Sequence, residues 1–326
     1  MDLFRSVRAV SAASGDGVVD WARAAEAAKA STDPGSLDLS AADRQGYVDD
    51  VRDARDRLRD VADIAFDVPE TAEIQNRHHW IDANLDTFRN VMAPIEEVAT
   101  PRFPDLTRLA NTGTMALMLG FLGRNVLGQY DPLLLAEEPD DAHGLYFVHP
   151  NIVRVADELD VEYPRFRRWI AFHEVSHAAE FGAAPWLPAY LESRVEEGVR
   201  SLTENGLTSG PLAGDNRAFR ELDAAMTAVE GYAELLMDRA FDDEYADLRR
   251  KLDERRTGGG PIARIVRRLL GLGLKRRQYE RGAAFFEYVA DELGIVAAGS
   301  VWERPENLPT NAELDAPEAW IDRVHR

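Results

Sequence analysis

Apolar residues recur at helical spacing along almost the whole chain, and only one stretch breaks into the short apolar runs of a hairpin. Residues 18–30, "VVDWARAAEAAKA", are alanine-rich and stop at the breaker "STDPG". From Asp43 to Ala65, Val48, Val51, Ala54, Leu58, Val61 and Ile64 form one apolar stripe. The opposite face is Asp and Arg and reads as solvated. Residues 71–93 read as a third helical segment, punctuated by Pro94 and Pro101. Residues 104–128 are apolar enough for a core helix. Further helices are expected from about Arg165 to Phe181, from Pro188 to Leu202, over 217–240, from Ile262 to Leu270 and from Lys275 to Leu293. The loop "TENGLTSGPLAGDN" and the break "TGGGP" at 257–261 separate some of these, and an irregular, proline-bearing tail ends the chain. The hairpin signal is "DPLLLAEE" and "GLYFVHP" joined by "PDDAHG". A mainly α fold with one small β-hairpin or edge-strand element follows. An N-terminal helical layer (1–100) is expected beside a second segment (101–326), the two forming one compact unit.

Composition narrows the function classes. The chain has 326 residues, and its 58 acidic against 38 basic residues give a net charge of −20. Only Lys29, Lys251 and Lys275 are lysines. An acidic, arginine-rich surface suits a salt-rich cytoplasm, where screening removes self-repulsion, which is a halophilic signature; the plainer alternative is an acidic protein from a GC-rich genome. No basic stretch could neutralise phosphates, which argues against nucleic acid and anionic membranes. No apolar run is long enough to span a bilayer, and "MDLFRSVRAV" lacks a signal pattern, so a cytoplasmic location is expected. With no cysteine, any metal must be held by His, Asp or Glu.

One motif carries chemistry. "FHEVSH" places His173 and His177 four residues apart, on one face of a helix. Two imidazoles there can hold one ion from the same side. Glu174 is rotated about 100 degrees away. It is poorly placed as a ligand but well placed to reach a water beside the ion, which is the mechanical content of H-E-x-x-H. Chance could set such a pattern on a chain with seven histidines. The flanks Phe166, Trp169, Ile170 and Phe181 are apolar, however, and two buried histidines beside a glutamate are costly without a compensating charge. A divalent cation supplies it.

A catalytic zinc usually takes three protein ligands. Glu230, within "MTAVEGYAELLMD", fits the third place, because Met226, Val229, Ala233 and Met237 would make an unpaired carboxylate expensive. Gly231 beside it would let another backbone come close. Glu234, one turn on, could support a ligand histidine from behind. The plainer alternative sets both glutamates against solvent or arginines. Tyr279, Tyr232 and His149 are candidates for stabilising an oxyanion, Tyr279 ahead of the others. His78 and His79 read as structural or surface residues.

"HEVSH" followed on a later helix by "VEGYAE" resembles the gluzincin layout. "VLGQYDP", "VHPNI", "FHEVSHAAEF", "EGYAELLMD", "KRRQYERGAAFF" and "ENLPTNAELDAPEAWIDRV", in that order, resemble a zincin-like metallopeptidase family of archaea and actinobacteria. Some of its members are labelled as associated with biosynthesis of coenzyme F-420. The resemblance implies a mainly helical zincin-type fold with residues 101–326 as the catalytic domain. It implies one Zn2+ per chain on His173, His177 and Glu230, with Glu174 as general base. The substrate would be a peptide or small amide. A zinc-binding helical scaffold without catalysis, and a hydrolase of a non-peptide amide or ester, are the competing readings. Oligomeric state is not encoded in any of these motifs.

Overall fold

The computed structural model describes residues 2–64, 66, 68–69, 72–98, 102–131, 144–204, 216–241, 246–251 and 275–326. In chain order the elements are α1 (Leu3–Ser11), α2 (Trp21–Ala30), α3 (Ala41–Ala62), β1 (Ala72–Gln75), α4 (Arg77–Ala83), α5 (Leu85–Val98), α6 (Pro104–Asn125), β2 (Gly128–Asp131), β3 (Gly144–Val148) and α7 (His149–Glu158). They continue with α8 (Tyr163–Ala183), α9 (Leu187–Glu204), α10 (Arg217–Ala240), α11 (Lys275–Leu293), α12 (Ile295–Ala298), α13 (Asn311–Asp315) and α14 (Pro317–His325). The mainly helical reading holds, with one small sheet. The expected "TGGGP" break and the helix over 262–270 lie outside the described residues.

The chain divides into two compact units, each assembled from two stretches. The first comprises Met1–Ser40 and Thr71–Asp157, and the second Ala41–Glu70 and Glu158–Arg326.

In the first unit β3 is the central strand, parallel to β1 and antiparallel to β2, with Ala72 opposite Leu145 and Gly128 opposite Phe147. Its continuous apolar run suits a strand flanked on both sides. The alanines of α2 are buried, and their small size lets α6 approach closely, with Gly120 backed onto Thr32 and Ala28. Asp20 caps α2 by accepting the Arg23 amide at 3.1 Å. His78 Nε2 lies 2.8 Å from the Thr32 carbonyl oxygen, while His79 is exposed.

Three sequence expectations change here. Residues 71–93 are not one helix: β1 precedes α4, and Asn76 caps the new helix by accepting the His79 amide at 2.9 Å. The antiparallel partner of β3 is "GQYD", which shares only Asp131 with the run assigned to the hairpin, while 132–143 lie outside the described residues. Helix α6 buries its small and polar face, including Thr112, Ala116 and Gly123, and leaves Leu106 and Leu117 exposed. The close fit to α2 selects small residues over large ones.

In the second unit α10 is the central helix, with α3, α8, α9 and α11 packed on it. Asp50 on α3 accepts from Arg167 Nε on α8 at 2.6 Å, and both side chains are buried. The Arg167 guanidinium also lies 5.4 Å from the ring centres of both Tyr47 and Tyr163. Arg168 bonds Asp53 at 2.6 Å and covers the Phe172 ring. These contacts hold α8 against α3. The tail is more regular than its prolines suggested: α12, two 3-10 turns, α13 and α14 follow one another. Trp302 and Trp320 are buried there, Trp186 donates to the Trp302 carbonyl at 2.9 Å, and Thr310 and Glu313 form a capping box. Among the described residues no helix is long and apolar enough to cross a membrane.

Candidate metal centre

Helix α8 opens at Glu162 with Pro164 in its first turn and buries Phe166, Trp169, Ile170 and Phe172. Its histidines therefore enter an apolar interior. The rings of His173 and His177 lie 4.8 Å apart and nearly perpendicular. Trp169 stacks on His173 at 5.6 Å with the planes 5° apart, and Phe166 stacks on Trp169 in turn. One turn of helix separates each member of this column from the next, so the sequence spacing sets the stack.

Helix α10 brings Glu230 to the histidines. Beside it, a Cβ on Gly231 would collide with the backbone of Gly282 on α11, so the two helices touch main chain to main chain. The close approach anticipated for Gly231 is thus present. Donor atoms of His173, His177 and Glu230 all lie within 4.8 Å of one another, and Glu230 is buried. Glu174, next to His173 on α8, is 6% exposed.

A buried carboxylate, Glu180, faces His177 from behind. His177 Nδ1 stands 2.9 Å from Glu180 Oε2, and Glu180 is 0% exposed. Glu234, expected to support a ligand histidine, pairs with Arg249 at 2.8 Å. Sequence reasoning passed over Glu180 although it sits inside "HEVSHAAEF" with the i,i+3 spacing that brings helix side chains together. Burial by itself pulls the His177 imidazolium down, but the carboxylates of Glu180, Glu230 and Glu174 outweigh it and hold it at about 9. Burial lifts the Glu180 carboxyl to about 7, against the pull of His177.

Of the oxyanion candidates, Tyr232 is a core residue between Phe286 and Trp302, with ring centres 5.1 and 5.6 Å away, and burial pushes its phenol up. His149 is buried at the start of α7 in the first unit. Tyr279 falls within α11, but its side chain is outside the described residues.

The donor set fits zinc. Two imidazoles and one carboxylate are borderline and hard donors of the kind zinc takes, and three is the protein count of a catalytic site. A tetrahedral ion with bonds of about 2.0–2.1 Å sets neighbouring donors roughly 3.3–3.5 Å apart. Side-chain rotation can draw the three tips in by that difference. Glu180 Oε1 has no hydrogen-bond partner among the described residues, so the site carries buried negative charge that a cation would offset.

H-E-x-x-H on one helix with a glutamate on another is the donor arrangement found in zincins. The family comparison is specific: the model for zincin-like metallopeptidases matches residues 19–321, and the chain belongs to that family. It is similar to a solved structure described as a "putative hydrolase with a novel fold from Chloroflexus aurantiacus", at 29% identity and a TM-score of 0.73 over 100% of this chain and 99% of the other. A comparison with curated proteins returned no match.

Proposed function

We propose that the protein is a zinc-dependent hydrolase of amide bonds, with one zinc held by His173, His177 and Glu230. The observation that carries this reading is the convergence of those three donors, from two packed helices, within 4.8 Å. A structural zinc is usually closed by four protein ligands, whereas this cluster has three among the described residues. When bound, zinc supplies Lewis acidity to a carbonyl and lowers the pKa of water towards about 7. Glu174 takes the proton of the attacking water and delivers it to the leaving amine. The apolar stack of Phe166 and Trp169 on His173 lowers the local dielectric, which strengthens charge interactions beside it. A peptide is the substrate class that the zincin family favours.

Metal content tests the reading. Wild type and His177→Ala, purified in parallel without chelator, are compared by mass spectrometry after zinc loading. About one zinc per wild-type chain, lost in the variant, supports it. Wild-type chains that hold no stoichiometric metal overturn it.

A further inference from the structure

We infer that Glu180 is the positioning residue of the metal centre: its carboxylate accepts the Nδ1–H of His177, fixes that tautomer, and leaves Nε2 as the lone-pair donor. The inference rests on the metal reading above but reaches a residue that reading does not need.

A carboxylate with no exposure is costly unless it is paired. The usual partner for such a group is arginine or lysine. Among the described residues, the ion-pair partner of Glu180 is instead His177, at 2.9 Å. Its second oxygen has no hydrogen-bond partner. A purely structural carboxylate would be better served by an arginine, as Glu313 is by Arg323 at 2.6 Å. Besides the Ala233 backbone, the tie of Glu180 is to a ring that must be neutral to bind metal.

Geometry also separates Glu180 from the ligands. A carboxylate on Nδ1 sits on the opposite side of the imidazole from anything bound at Nε2. It can orient the ring and raise its basicity without joining the coordination sphere. Glu180 and His177 share α8, three residues apart, so no second helix has to move to make the contact. Trp169 does the matching work for His173 by stacking, one turn earlier on the same helix. Each histidine thus has an orienting neighbour on α8 itself, and Glu230 comes from α10.

The test compares full-length wild type with Glu180→Gln and Glu180→Ala. Zinc affinity is measured by competition with a chromophoric chelator. The His177 tautomer is read by nitrogen-15 NMR of histidine-labelled, metal-free protein, above the pH at which the ring loses its second proton, with His177→Ala assigning the signal. Glu180→Ala is expected to bind zinc about 10–100-fold more weakly and to lose the Nδ1–H tautomer. Glu180→Gln keeps an acceptor for Nδ1–H, so its tautomer persists and its affinity falls less. Since Gln is nearly isosteric, it keeps the test open if the alanine variant does not fold. Variants that bind zinc like wild type, or a Gln variant with mixed tautomers, overturn the Glu180 assignment. A wild-type chain that binds no zinc overturns the metal reading instead, and the tautomer measurement still judges Glu180.

Discussion

Gly231 and Gly282 bring two helix backbones into direct contact, one residue away from the carboxylate that reaches the histidines. Added side-chain atoms at this crossing would have to push α10 and α11 apart, and main chain cannot yield as a flexible side-chain tip can. Gly231→Ala is therefore expected to cost about 1–3 kcal/mol of stability, read by denaturant unfolding. Because Glu230 moves with the helix, the same variant should lose zinc affinity at temperatures where it remains folded. Wild-type stability in Gly231→Ala would mean that the crossing is looser than the structure places it.

The Asp50–Arg167 pair is a second lever on α8. Both side chains are buried and 2.6 Å apart, so removing the carboxylate leaves a desolvated guanidinium. Asp50→Ala is expected to destabilise by about 3–5 kcal/mol, the range for breaking one partner of a buried pair. Asp56→Ala, on the exposed face of α3, should change stability by less than about 1 kcal/mol. Asp50→Ala combined with Arg167→Met should recover part of the loss, because the stranded charge is gone. Equal effects from Asp50→Ala and Asp56→Ala would count against a buried clamp.

The sequence was informative where a pattern was local. His173 and His177 share a helix face through spacing alone, and apolar neighbours together with Gly231 singled out Glu230 before any contact was known. Glu180 was not singled out, because a carboxylate three residues after a histidine is ordinary on an exposed helix, and only its burial distinguishes it. β1 was hidden for a different reason. "AEIQ" has little strand character of its own, and it is held by pairing with Leu145–Val148, more than seventy residues away. The exposed leucines of α6 were misleading because apolar content was read as burial, whereas packing against alanine-rich α2 rewards small residues.

Stability of the metal-free protein should depend on pH in a direction set by His177 and Glu180. The unfolded imidazole has a pKa of 6.5 and the folded one about 9, so between those values the folded chain binds the extra proton. Stability from this source is present in full below 6.5 and is lost as pH rises through 9. Glu180 acts in the same sense at lower pH. Its carboxyl is lifted from 4.5 to about 7, so the folded chain again holds more protons across that interval. Zinc must displace the His177 proton, so stabilisation by added zinc should grow as pH rises over the same range. Denaturant midpoints of chelator-treated protein at several pH values, with His177→Ala as reference, measure the first trend, and the same midpoints after zinc is added back measure the second. A metal-free midpoint that rises between pH 6.5 and 9 relative to that reference would contradict the first, and a zinc increment that shrinks over that range the second.

Glu174→Gln separates holding the metal from using it. Glu174 lies beside His173 but outside the three-donor cluster, and its replacement keeps nearly the same volume in a buried place. Zinc content should therefore match wild type. The amide cannot accept a proton from water, so turnover of a verified amide substrate should fall by about 10²–10⁴-fold, the usual worth of general base catalysis. His173→Ala, by contrast, should lose both metal and activity. A Glu174→Gln protein with full zinc and full turnover would transfer the base role to another group. One with neither would show that Glu174 shapes the metal site instead of the chemistry carried out there.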